Sequence, residues 1–90
     1  MSLRNKFVYL PRFKRDYKKL SVSVQEKVKK ALFLMEKDFM YPSLQVKKIK
    51  GTKDIWEARV SKSIRLTFNF EEDVVIFRTV GEHDILKRQF

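Results

Sequence analysis

Three apolar runs in the second half of the chain restrict the fold more than anything else in it: IWEARV (residues 55–60), IRLTFNF (64–70) and VVIFRTV (74–80), separated only by SKS and EED. The runs are rich in β-branched and aromatic residues and have strand length, and the gaps are far too short for a crossover. Consecutive runs must therefore pair antiparallel as a meander. Neither gap contains glycine, which predicts loops of three or more residues, or a bulge, rather than two-residue turns. VVIFRTV is almost continuously apolar and is expected to be a central strand covered on both faces.

Reading SKS as a three-residue loop sets the register. Val60 then opposes Ile64, Ala58 opposes Leu66, Trp56 opposes Phe68, and Arg59 opposes Arg65. One face closes as core, Trp56 included. The other brings two guanidiniums together at a cost of up to roughly 1 kcal/mol unless something neutralises them. A phosphate gripped by the guanidinium forks would do so, and so would ion pairs with the nearby Glu57 and Asp54.

In the first half, KFVYL reads as an edge strand stopped by Pro11. In RFKRDYKKL, Phe13, Tyr17 and Leu20 share one helical face. SVQE is a capping box in which Ser23 and Glu26 would start a longer helix carrying the stripe Val24, Val28, Leu32, Met35 and Phe39, which must end before Pro42. LQVKKIKG reads as a linker. The expected architecture is α+β: an N-terminal strand and a two-helix hairpin packed on an antiparallel β-sheet of about four strands. A chain of 90 residues buries only roughly 60 to 65% of its unfolded surface, so residues 1–90 are expected to form a single domain.

Lys and Arg number 21 against 11 Asp and Glu, a formal net charge of +10, which favours a polyanionic partner: nucleic acid first, an acidic protein second, an anionic membrane third. Lys47, Lys48, Lys50 and Lys53 form a flexible positive rim before the meander, and Lys62 lies in its first loop. All five are candidate phosphate contacts, although lysine runs are more often plain solvated surface. No stretch approaches the roughly 20 apolar residues that span a bilayer, and no secretory signal is visible; a cytoplasmic protein without a membrane partner is expected. With no cysteine and one histidine, a metal site is not expected. No glycine-rich phosphate loop points to a nucleotide cofactor, and none is expected.

That histidine, His83, follows Gly81, which can release the chain from the last strand, and precedes the tail DILKRQF. A lone histidine in a small domain is usually structural, but here it falls where an imidazole could serve as general acid for a phosphate held by the arginines. Phe90 either stacks on a base or latches the tail onto the core.

The order of elements, with KKIKG, IWEARVSKSIRLTF and VGEHDIL, resembles the RelE/ParE superfamily of bacterial toxins over nearly the whole chain from Phe7. The resemblance implies a toxin of a toxin–antitoxin module. Members either cleave messenger RNA in the A site of the 70S ribosome or poison DNA gyrase without catalysis; a degenerate toxin that only binds its antitoxin is a third reading. In the RNA-cleaving members similar to RelE and YoeB, Arg65 corresponds to an arginine on the scissile phosphate, Arg59 to a basic residue of the preceding strand, and His83 to the histidine or arginine after the last strand's glycine. The chain departs from those patterns at Val46, Glu57 and Asp84. The implied chemistry is metal-independent attack of the substrate's own 2′-hydroxyl, with Arg65 and Arg59 stabilising the phosphorane, His83 as acid and Glu57 as candidate base. The implied partners are a cognate antitoxin, messenger RNA and the ribosome, and operator DNA only through the antitoxin.

Overall fold

The computed structural model describes residues 6–86. In chain order these form β1 (Lys6–Tyr9), α1 (Pro11–Lys18), α2 (Val22–Lys37), a 3-10 turn (Pro42–Leu44), β2 (Lys47–Lys48), β3 (Trp56–Arg59), β4 (Ile64–Glu71), β5 (Val74–Glu82) and the helical turn α3 (His83–Leu86). Pro11 ends β1 and opens α1 at its first helical position, where a missing N–H costs nothing. The two helices are pinned by Gln25, whose Nε2 donates to the carbonyl of Tyr17 at 2.8 Å, an acceptor at the end of α1 that also takes the Leu20 N–H at 3.1 Å.

The five strands lie in the order β1-β5-β4-β3-β2. β3, β4 and β5 form the expected antiparallel meander in the expected register, with Trp56 opposite Phe68, Ala58 opposite Leu66, and Arg59 opposite Arg65. Phe13, Val28, Ala31 and Met35 of the helices bury against Ala58, Leu66, Phe68, Val75, Phe77 and Val80 of the sheet. Phe77 stands at the centre, 4.9 Å from the ring of Phe7 and 5.1 Å from that of Tyr9. Truncating such a buried aromatic costs about 3 to 5 kcal/mol. Trp56 packs against this core, edge-on to Phe70 at 6.1 Å.

Four expectations are corrected in detail. The sheet is mixed and five-stranded, because β1 pairs parallel to β5 and because the supposed linker contributes β2. Lys47 and Lys48 carry no strand signal; they pair with β3 because Gly51, at φ +82°, reverses the chain and Thr52 staples the reversal, its hydroxyl donating to the carbonyl of Ile49 at 2.7 Å. Between β4 and β5, Glu71 pairs directly with Val74, so the turn has two residues, and Glu72 takes the left-handed φ of +56° without glycine. A bulge does occur, but inside the ladder: Thr67 opposes Thr79 while Phe68 opposes Phe77, which leaves Arg78 as the extra residue. Finally, the cap of α2 is Ser21 rather than Ser23: the Ser21 hydroxyl accepts from the Val24 N–H at 3.3 Å, the helix starts one residue before Ser23, and Glu26 pairs instead with Lys29 at 3.4 Å.

β5 is central, as its composition implied, yet its second face is only partly covered, with Val74, Ile76 and Arg78 half-buried. That face carries the polar residues.

Candidate active site

Because side chains alternate along a strand, the sheet face turned from the helices presents Glu57 and Arg59 of β3, Arg65, Thr67 and Asn69 of β4, and Thr79 of β5. The register arranges them in rows. One row runs Lys47, Glu57, Thr67, Thr79 across four strands. The next runs Arg59, Arg65, Gly81.

The first row is the rigid one. Glu57, Thr67 and Thr79 are only 9%, 0% and 1% exposed. The threonine hydroxyls meet at 2.6 Å, and Thr67 Oγ1 also accepts from the Thr79 N–H at 3.2 Å. Glu57 is held at the sheet edge by Lys47, whose Nζ lies 3.5 Å from its carboxylate. The carboxylates that could have neutralised the arginines are thus engaged elsewhere, since Asp54 accepts from the Trp56 indole at 3.4 Å.

In the second row, Arg65 is anchored at one end. Its Nη1 donates to the carbonyls of Ser61, Lys62 and Ile64 at 2.7, 3.2 and 3.2 Å, so the guanidinium ties down the β3–β4 loop. A guanidinium has five N–H donors in a planar fork, and Nη1 carries two of them. The rest remain for an anion. Gly81 sits directly opposite and is part of β5 rather than the point of release; the strand runs on to Glu82. A Cβ built at Gly81 meets nothing within 4 Å, so open space adjoins Arg65.

Two backbone contacts fix the end of β5. The Asp16 carboxylate of α1 accepts from the Val80 N–H at 3.3 Å, beyond the last residue that β1 covers. The His83 N–H donates to the carbonyl of Ser63 at 2.8 Å. His83 therefore lies one residue past the Ile64–Glu82 pair, at the same end of the sheet as Arg59 and Arg65. It is half-buried, and its Nδ1 is shielded from solvent without a hydrogen-bond partner among the described residues.

The lysines divide. Lys47 joins the face through Glu57. Lys48 opposes Trp56 and so belongs to the helix-side face, away from the arginines. Lys50 and Lys53 are exposed in the turn beyond β2, and Lys62 is exposed at the tip of the β3–β4 loop. Phe90 lies outside the described residues.

Sequence reasoning passed over Arg78. Its Nη1 donates to Asn69 Oδ1 at 3.2 Å, while its buried Nε has no partner among the described residues. The available signal was one charged residue in a mostly apolar strand, placed by alternation on the face opposite Val75 and Phe77; the bulge that brings Thr79 onto the same face was not visible. Among the described residues no group of histidine, cysteine and carboxylates could hold a metal ion, and no helix is long and apolar enough to cross a membrane.

On the helical side, a groove of about 320 Å³ lies between α1 and α2, floored by Tyr9, Phe13, Tyr17 and Leu32 and rimmed by Lys14, Lys18 and Lys29. Burial first, and the Glu36 carboxylate second, push the Tyr9 phenol above its ordinary value.

No protein-family model and no curated protein matches the chain. Solved structures do match. RelE in its RelB–RelE complex from Methanococcus jannaschii superposes at TM-score 0.74 and 20% identity, over 92% of this chain and 98% of that one. YafQ from E. coli gives 0.72 at 16% identity, over 92% and 98%. YoeB from Staphylococcus aureus, solved as a dimer, gives 0.68 at 16% identity, over 89% and 98%. The chain has the fold of these RelE-like toxins.

Proposed function

From that fold and the arginine face, we propose that the chain is the toxin of a toxin–antitoxin pair and that it cleaves messenger RNA in the ribosomal A site without a metal. The observation that carries this reading is the row Arg59, Arg65, Gly81: two guanidiniums opposite one another beside open space, with the chain's one histidine at the same end of the sheet.

The reaction needs few parts, because the RNA supplies the nucleophile. The 2′-oxygen bonds to the adjacent phosphorus, the bond from phosphorus to the 5′-oxygen breaks, and the products are a cyclic phosphate and a free 5′-hydroxyl. Arg59 and the free donors of Arg65 oppose the charge growing on the phosphorane, each worth on the order of 10²–10³ in rate. Arg78, held by Asn69, adds positive potential along the same face. His83 gives a proton to the departing 5′-oxygen, worth roughly 10²–10⁴. Glu57, two residues from Arg59 on the same strand face, takes the proton from the 2′-hydroxyl.

The partner follows from the opposite side of the molecule. The groove between the helices, apolar in its floor and cationic in its rim, fits an acidic amphipathic antitoxin segment, and that binding should weaken as salt screens the rim. Inducing the chain in cells and mapping transcript 5′ ends tests the whole reading. Growth arrest with new 5′-hydroxyl ends, both lost in His83→Ala, is the expected result; intact transcripts with double-strand DNA breaks would replace it with gyrase poisoning.

A further inference from the structure

Beyond the β3–β4 loop, Arg59 lines a second cavity, of about 310 Å³, set between the middle of α2, the 3-10 turn and that loop. Its volume is at the lower end of the roughly 300–1,000 Å³ typical of ligand sites. Lys27 and Lys30, three residues apart and so on one helix face, supply two further cations, and Ser43 and Ser61 supply hydroxyls above a floor that ends on the buried Leu44. No carboxylate among the described residues lines the cavity. Among the described residues, neither lysine nor Arg59 belongs to an ion pair, in contrast to Lys29 on the same helix, which is matched by Glu26. Two lysines and two hydroxyls around a concave apolar floor, with Arg59 at its border, form the complement of a phosphate ester: charge for the phosphate oxygens, hydroxyls for directional bonds, and an apolar wall for the sugar.

We propose that this cavity binds a backbone phosphate of the RNA strand, as an anion subsite outside the catalytic face. The inference rests on the RNA-cleaving reading and extends it: a strand whose reacting phosphate lies between Arg59 and Arg65 continues round the β3–β4 loop, past Arg59 at the border of the cavity, and places a neighbouring phosphate against Lys27 and Lys30 of α2.

The test separates binding from cleavage with a short 2′-O-methyl RNA oligonucleotide, which lacks the nucleophile and cannot be cut. Its affinity is read by fluorescence anisotropy over a series of salt concentrations. Each phosphate neutralised on a single strand contributes about 0.7 to the slope of log affinity against log salt. Lys27→Ala with Lys30→Ala removes the contact to that one phosphate and should therefore flatten the slope by about 0.7 and weaken binding several-fold at low salt. Lys6→Ala with Lys19→Ala removes the same charge elsewhere on the surface and should leave the slope near that of the parent. All four side chains are exposed, and circular dichroism checks that both variants fold. Equal slopes in the two double variants overturn the subsite. Cleavage of unmodified RNA that depends on His83, beside equal slopes, leaves the catalytic reading standing and removes this one. A lysine-dependent slope in a protein that cuts no RNA does the reverse.

Discussion

Replacing Arg65 by alanine separates two jobs that one side chain performs. Its Nη1 holds three carbonyls of the β3–β4 loop, and its remaining donors face open space beside Gly81. Hydrogen bonds to a charged donor contribute about 1.5 to 3 kcal/mol when well made. Only the 2.7 Å bond to Ser61 has near-ideal length, and the side chain is half-exposed, so a stability loss of about 2 kcal/mol is expected. A domain of 90 residues has a stability of about 5 to 13 kcal/mol at 0.05–0.15 kcal/mol per residue. Even at the low end, about 3 kcal/mol remains, and more than 95% of the variant stays folded. Unfolding alone would then reduce activity by a few per cent. Loss of one transition-state donor predicts instead a fall on the order of 10²–10³. The assay pairs urea denaturation with single-turnover cleavage of a ribosome-bound message. Arg65→Lys keeps the charge but not the fork, so it should recover part of the rate and little of the loop's rigidity. Cleavage by Arg65→Ala within tenfold of the parent, at the stability loss given above, would refute the phosphate role and leave Arg65 as a loop anchor.

Gly81→Ala should fold as well as the parent, since its Cβ meets nothing within 4 Å, and gain up to about 1 kcal/mol from a stiffer unfolded chain. The same methyl group intrudes on the space beside Arg65, so cleavage should fall while thermal stability holds or rises. Ser21→Ala should cost about 1 kcal/mol as loss of a helix cap, and Ser23→Ala much less; urea midpoints that ranked them the other way would restore Ser23 as the cap. Tyr9 has a phenol pKa raised above 10.0 by burial and by Glu36, so the folded state holds the phenolic proton more tightly than the unfolded chain. The stability this contributes is fully present below pH 10 and is lost as pH rises through the folded value. Melting temperature should therefore drop more steeply above pH 10 in the parent than in Tyr9→Phe.

The strand meander was legible because its information is local. Three strand-length apolar runs with gaps too short for a crossover allow one pairing, and a three-residue loop fixes the register that sets Arg59 opposite Arg65. The helical hairpin was legible from the spacing of Phe13, Tyr17, Val28 and Met35, each of which reaches the core. Ser23 misled as a cap because only it has a glutamate three residues on, whereas the structure uses Ser21, whose hydroxyl caps the Val24 N–H without a reciprocal carboxylate. The site was half visible. Type and register picked out Arg59, Arg65 and Glu57, and position after the last strand picked out His83. Nothing local announced that Arg65 would anchor a loop, that Glu57 would be engaged by Lys47 across a strand lacking β propensity, or that a bulge would bring Thr79 onto the face of Arg78.

What the sequence determined by itself is what alternation and short gaps can encode: the class of the longer elements, the antiparallel order of β3 to β5, and which of their residues share a face. The tertiary structure decided the rest. β1 joins parallel to β5, β2 exists only because β3 offers it an edge, a bulge brings Thr79 onto the face of Arg78, and Asp16 of α1 caps the Val80 N–H at the end of β5. The β1–β5 pairing and the Asp16–Val80 contact join opposite ends of the chain, so no local window contains both partners; β2 and the bulge lie within hairpins, but no strand propensity signals the first and no glycine the second.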